Sequence, residues 1–133
     1  MTSNYISVPG LKADADLSAS QFDFVKLNAS ADFQIDAISA AADDILGVLQ
    51  NKPEASGQAA DVAILGTCKV RAGGSITRGN KIKVAADGEA LAATEITDGS
   101  AADEEIVGQA LESGADQEII HIVLTGNRGN RAT

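Results

Sequence analysis

The sequence predicts an all-β protein, built as one compact β-barrel or sandwich domain with an extended N-terminal arm and a few short helical turns. Valine, isoleucine and leucine supply 29 of the 133 residues, aromatic residues only four, and 13 glycines are spread between the apolar segments. β-Branched side chains favour strands, and glycines favour the tight turns between strands. Because 24 of the 59 apolar residues are alanines, the chain has material for one modest core and not for two.

Residues 1–20 differ from the rest of the chain and are predicted to form the arm. They are mostly small and polar, and Pro9 with Gly10 marks a turn. Few of them look able to anchor the segment to a core of its own domain, so a free or partner-bound arm is favoured over a first edge strand. The partner contact is predicted at five apolar residues: Tyr5, Ile6, Val8, Pro9 and Leu11.

Residues 21–125 are predicted to form the β domain, and residues 126–133 a flexible C-terminal tail. Alternating or continuous apolar patterns predict the strands, with Phe33, Ile35 and Ala37 on one face of the second one. The final strand is apolar on both faces apart from His121, which predicts a central position in the sheet. The predicted strands are 22–27, 33–38, 45–50, 62–72, 81–84, 89–93, 106–112 and 119–125.

Three shorter features complete the pattern. Residues 39–44 are alanine-rich and predict a short helical turn, and residues 98–100 predict a turn between strands. Residues 43–49 resemble residues 104–110, which suggests two related units of bulged strand, loop and central strand. Within these units Gly47 and Gly108 are predicted to lie in strands at a bulge or a close backbone approach.

Most enzyme and metal-binding classes are disfavoured by the residue counts. A single histidine, His121, and a single cysteine, Cys68, cannot make a standard structural zinc site, and no internal disulfide is possible. His121 is interpreted as a satisfied core or interface residue and Cys68 as a small core residue. Adjacent acid pairs such as Asp43–Asp44 point to opposite faces of a strand and do not converge on a substrate.

Two motifs that could bind ligands do not match their patterns. Residues 74–81 resemble a phosphate-binding loop, but Asn80 separates the second glycine from the lysine, and a β-turn between strands is predicted instead. Residues 14–25 begin like a calcium-binding loop, yet Ala19 and Val25 stand where glycine and glutamate are needed. No catalytic residue, cofactor, metal or small-molecule substrate is therefore predicted.

The net charge of −9 disfavours nucleic-acid binding. No apolar run approaches the ~20 residues that cross a membrane, and the first residues lack the basic and apolar regions of a signal peptide. The charges are also segregated, with five bases and no acid over 69–83 and ten acids and no base over 87–118. Such a chain could pair head to tail in a ring. The tentative subunit contacts are Lys69, Arg71, Lys81 and Lys83 on the basic side and Asp98, Asp103, Glu104 and Glu105 on the acidic side.

An ordered set of short blocks resembles the small capsid decoration, or cement, proteins of tailed bacteriophages. In particular, the chain is similar to the family formerly labelled as a RecA-like phage recombinase. The matching blocks are 15–18, 21–22, 24–27, 47–53, 66–70, 72–79, 107–112 and 119–124. Because the phosphate-loop match fails, this resemblance implies no nucleotide site.

The resemblance implies a structural virion protein, made in the host cytoplasm, on the outer surface of the head. It would bind the major capsid protein, commonly as a homotrimer, and stabilise the capsid by bridging neighbouring capsomers. The acidic surface suits an exposed virion face. Two other classes stay open: a head-fibre or adhesion module that binds host surface glycans, and a small β-barrel enzyme or carrier domain. The few aromatic residues and the missing carrier motif speak against these two.

Overall fold

A computed structural model describes residues 3–40, 44–93 and 106–125, which form one sheet of ten strands. The only helical element in these ranges is a 3₁₀ turn at Ser18–Ser20. The all-β prediction is therefore confirmed. The strands are β1 (Asn4–Ser7), β2 (Lys12–Ala13), β3 (Phe24–Leu27), β4 (Gln34–Ala37), β5 (Gly47–Leu49), β6 (Val62–Arg71), β7 (Lys81–Val84), β8 (Ala90–Ala92), β9 (Gly108–Ala110) and β10 (Ile119–Leu124).

The sheet runs in the order β2-β4-β3-β5-β6-β10-β9-β7-β8, and β1 pairs with β6 outside this order. Named strands pair antiparallel except β2 with β4, which are parallel. Within the described ranges no pairing joins β2 to β8, so the ten-stranded sheet is not closed. The predicted central position of β10 is confirmed, because it lies between β6 and β9.

The buried residues of the described ranges form two core clusters, which corrects the expectation of a single core. The first core cluster holds sixteen buried residues, mostly from β5 to β10, and the second holds eight. On three strands, neighbouring residues belong to different clusters. Phe24, Val48 and Ala63 belong to the first cluster. Their neighbours Val25, Leu49 and Val62 belong to the second. Since neighbouring side chains on a strand point to opposite faces, this part of the sheet is buried on both sides.

The long strand β6 follows the predicted alternation in its second half. Cys68, Val70 and Ala72 are fully buried, and Ile82 and Val84 of β7 join them in the first core cluster. The loop that resembled a phosphate-binding site is a tight turn, in which the Asn80 amide donates to the Thr77 carbonyl at 2.9 Å. Gly79 has a φ of +93°, a conformation that favours glycine at this position of a turn.

The two glycines of the weak repeat occupy equivalent places in β5 and β9, which confirms that prediction. A Cβ atom on Gly47 would collide with the Ala63 carbonyl oxygen, and one on Gly108 with the Val123 carbonyl oxygen. Both glycines therefore allow a neighbouring backbone to approach closely, as the sequence pattern indicated. The predicted turn at residues 98–100, the tail at 126–133 and part of the helical turn at 39–44 lie outside the described residues.

Candidate docking surface

The N-terminal segment belongs to the sheet, so its description as a loose arm is wrong. β1 pairs antiparallel with β6, with Tyr5 opposite Gly66, and β2 pairs with β4. Leu11 is only 3% exposed and belongs to the second core cluster. The sheet thus continues across the predicted boundary at residue 20. The physical reason is the second core cluster, because three residues of this segment cover it: Leu11, Ala13 and Leu17.

The five predicted partner-contact residues differ in how far they are buried. Leu11 is inside the protein, and the hydroxyl of the half-buried Tyr5 donates a hydrogen bond of 2.5 Å to Asp61 Oδ2. Burial, together with this carboxylate, raises the pKa of Tyr5 to about 12. Ile6 is 57% exposed and lies opposite Leu65, which is 39% exposed. Pro9 is exposed and Val8 half-buried.

An apolar groove opens between the N-terminal segment and the β3–β4 hairpin. Its volume is about 370 Å³. Two of its walls are large exposed side chains, Leu27 at 53% and Phe33 at 63%. We call it the hairpin groove; its lining is Val8, Leu11, Leu27, Asn28, Ala31, Asp32, Phe33 and Leu46. Since Leu11 belongs to the second core cluster and Val8 and Leu46 pack against it, the groove is the open end of that cluster.

Phe33 was expected to share a face with Ile35 and Ala37, and this is incorrect. Its φ is +58°, in the left-handed region, so the regular alternation of β4 begins only after it. A bulky residue in this conformation costs about 1 kcal/mol. Ile35 is fully buried, whereas Phe33 projects into solvent at the end of the hairpin.

The loop that carries Phe33 is held by Asn28. Its Oδ1 accepts hydrogen bonds from the backbone amides of Ser30 at 2.8 Å and Ala31 at 2.9 Å. Its Nδ2 lies 3.1 Å from both carboxylate oxygens of Asp36. On the other side, the Lys12 amide donates to the Phe33 carbonyl at 2.8 Å. The exposed phenyl ring is therefore presented by an ordered loop.

The four predicted basic contacts lie on β6 and β7, and Arg71, Lys69 and Lys83 interact within their own chain. The Arg71 Nε atom is 3.4 Å from Asp23 Oδ1, and its Nη2 donates to the Gln21 carbonyl at 3.1 Å. Lys69 Nζ lies 5.9 Å from the centre of the Phe22 ring. Lys81 is exposed and Lys83 half-buried. The acidic half of the predicted contact, Asp98, Asp103, Glu104 and Glu105, lies outside the described residues.

No group of three or more potential metal-ligating side chains is present in the described ranges. Cys68 is fully buried, and burial raises the pKa of its thiol to about 12. His121 is largely buried, with Nδ1 2.7 Å from Glu112 Oε2. The same oxygen accepts the His121 backbone amide at 2.8 Å. Glu112 thus holds both the backbone and the Nδ1 side of the ring of His121 in place.

Asp23 is a buried acid next to Arg71. Burial raises the pKa of Asp23 to about 6, an effect that Arg71 opposes and that the negative charges of Glu89 and Asp87 reinforce. The pKa of Glu89 is also raised, chiefly by desolvation, and Gln117 Nε2 donates to it at 2.9 Å. This cluster joins β3, β6 and the loops beside β8 and β10.

We expect the free energy of unfolding to fall as the pH rises from about 4 to above 6. Because its pKa is higher in the folded protein than in the unfolded chain, Asp23 binds more protons in the native state across that window. Asp23→Asn should flatten this dependence relative to the parent protein in urea titrations at pH 4.5 and 7.5. An Asp23→Asn protein with the unchanged slope would contradict the assignment to Asp23.

Three large apolar residues in the groove lining were not predicted as contact residues: Leu27, Phe33 and Leu46. Each lies in a segment whose pattern is that of an ordinary strand. The alternation in the second strand predicts that the Phe33 side chain is buried. The available signal was the polar segment 28–32, which predicts a hairpin loop beside two large apolar residues. A hairpin tip flanked by Leu27 and Phe33 is more apolar than a solvated turn requires.

The described part of the chain defines an open, ten-stranded β fold with exposed apolar surfaces and no convergent reactive groups. No helix among the described residues is long and apolar enough to span a membrane. The fold is similar to a solved structure, the N base of the head fibre protein gp8.5 of bacteriophage phi29. The TM-score is 0.58 at 16% identity, covering 98% of this chain and 100% of that one. No family model matches the sequence, and neither does any curated protein.

Proposed function

We propose that the chain is a structural protein of a tailed-bacteriophage virion, held on the head. The observation that carries this proposal is the similarity in fold, over 98% of the chain, to the base of a phage head fibre. The ordered sequence blocks that resemble phage decoration proteins support the same kind of particle independently. A protein in this role acts by binding, so the proposal requires no catalytic residue, cofactor or substrate.

In finer detail, we propose that the protein lies on the outer surface of the capsid, contacts the major capsid protein and bridges neighbouring capsomers. A β sheet with core clusters on both faces is a stiff body, and it presents large apolar side chains such as Ile6, Leu27 and Phe33 to a partner. Many weak contacts of this kind, repeated over a lattice, would stabilise the shell jointly.

A homotrimer remains part of this proposal, with its basic side on β6 and β7. Because Arg71 is paired with Asp23 in its own chain, it would contribute less to the contact than the exposed Lys81. Exposed ion pairs contribute little affinity but set orientation. The alternative is a trimer formed through apolar strand edges.

A second candidate function is the base of a head fibre or adhesion module. The solved structure with the similar fold is itself named as a fibre base. In both candidates the protein lies on the head, but its effect on the virion differs. A cement protein strengthens the shell, whereas a fibre base connects the shell to a distal part that reaches the host, for example through surface glycans.

The test is to add the purified protein to heads that lack it and to measure bound mass and the temperature at which heads release DNA. We expect saturable binding and a release temperature several degrees higher than without the protein, because binding favours the intact lattice. Binding without a thermal shift, together with glycan binding, would favour the fibre base. No binding at saturating protein would contradict both candidates.

A further inference from the structure

We propose that the hairpin groove docks an apolar side chain that a separate protein presents between basic residues. This inference rests on the proposed function and deepens it, since it assigns the face that meets the shell and the chemistry of the shell surface. It is carried by three observations: the exposed apolar pair, the ordered loop behind it and the acidic rim around it.

The apolar pair has the character of an interface anchor. Phe33 and Leu27 expose 63% and 53% of their surface, beside half-buried Val8 and Leu46. A partner side chain entering here would extend the second core cluster, which is open at this end. Burial of a large apolar side chain contributes ~1.5–3 kcal/mol, and a few well-packed contacts of this kind carry most of the binding energy of an interface.

The loop presents this anchor in a fixed conformation. Asn28 binds the amides of Ser30 and Ala31 and contacts Asp36, while the backbone of Phe33 is tied to Lys12. The protein thus holds a bulky residue at positive φ while its ring remains in water. Less ordering is needed on binding when the anchor is already in place, so this conformation suits recognition of a partner.

The rim is acidic, which indicates the charge of the partner. Asp32 lines the hairpin groove, and Asp36 and Asp44 line an adjoining cleft of about 420 Å³ that shares Leu27 and Leu46 with it. Asp14 follows directly after β2, and its carboxyl lies within hydrogen-bond reach of that of Asp36. The pKa of Asp14 is raised by desolvation and by the charge of Asp36, a sign of two carboxylates held close together.

The nearby bases do not offset this charge. Two bases, Lys12 and Lys26, stand against the four acids named above. Lys26 lines the adjoining cleft, and its Nζ is bound to Ser39 Oγ at 3.0 Å. An incoming lysine or arginine would therefore meet a favourable potential. A second copy meeting groove to groove would place two acidic rims together in a protein of net charge −9. The complementary occupant is accordingly a different, basic surface.

The main experiment measures affinity for heads at low salt with the full chain and three variants. Phe33→Ser should weaken binding by about 30-fold, as loss of an interface anchor does. Asp32→Asn with Asp44→Asn should reduce the salt dependence of binding. Ile119→Ser is the matched control, because Ile119 is 40% exposed on β10 and outside the groove lining; it should change affinity less than twofold.

The outcomes separate this inference from the proposed function. If the parent protein and Phe33→Ser bind heads equally, the groove is not the docking face, although the head role stands. If Phe33→Ser instead abolishes self-association seen by sedimentation, the occupant is a second copy and the inference is overturned.

If the parent protein does not bind heads, the proposed function fails and the groove is tested by itself. The probes are the capped peptides Lys-Leu-Phe-Lys and Glu-Leu-Phe-Glu, titrated into the full chain and followed by amide chemical shifts. The basic peptide should shift the resonances of residues 27, 33 and 46, and the acidic peptide should not. Equal shifts with both peptides, or none with either, would contradict the proposed chemistry.

Discussion

Gly108→Ala is expected to lower the free energy of unfolding by about 3 kcal/mol, a large loss for a single substitution. The added Cβ would overlap the Val123 carbonyl oxygen and crowd the Leu124 backbone of β10. Because these atoms belong to backbone, no side-chain rotation relieves the overlap. The strands β9 and β10 would have to separate, with loss of their pairing.

Chemical denaturation followed by far-ultraviolet circular dichroism measures this effect, since the chain has no tryptophan. Gly74→Ala is the matched control, because its Cβ would meet only Leu91 Cδ2 at an ordinary 3.6 Å. The control should stay within ~0.5 kcal/mol of the parent. Equal stability of the two variants would show that the β9–β10 approach is looser than described.

Phe24→Ala is expected to cost about 4 kcal/mol, a large part of the 5–15 kcal/mol that stabilises an ordinary domain. Phe24 is the largest side chain among the fully buried residues and lies in the first core cluster. The remaining core is aliphatic and rich in alanine, so neighbouring side chains are too short to fill the cavity. The melting temperature should fall by about 10 °C or more.

The same substitution at Phe33 is the control for this experiment. Its ring is mostly in solvent, so Phe33→Ala removes little buried surface and should leave the melting temperature within about 2 °C. Together the two variants separate a phenylalanine that stabilises the core from one that is available to a partner. Equal losses at both positions would mean that Phe33 is part of the core.

Local patterns predicted most of the strands but not that part of the sheet is buried on both faces. The alternation at Cys68, Val70 and Ala72 identifies a buried face directly, and the structure confirms it. The pairs Phe24–Val25 and Val48–Leu49 are apolar on both faces. Such pairs indicate burial on two sides, and the low aromatic content obscured this signal.

The N-terminal segment and the hairpin tip depend on contacts that sequence periodicity does not describe. β2 has two residues, too few to show alternation, and its partner β4 follows only after an intervening strand. The exposure of Phe33 results from its positive φ, which no neighbouring residue signals. The position of the N-terminal segment is decided by the second core cluster, which forms from distant parts of the chain. The position of Phe33 is decided by the loop that Asn28 holds.

The pairing of β1 with β6 has a consequence for the time course of folding. Tyr5 is paired with Gly66, so β1 has no strand partner until about sixty further residues have been synthesised. At about 5–20 residues per second, translation of that stretch takes some 3–12 s. Sheets built from such long-range pairings also fold slowly, in milliseconds to seconds. During synthesis the nascent chain therefore leaves Tyr5 and Ile6 without their strand partner for seconds, an interval in which a chaperone has time to bind.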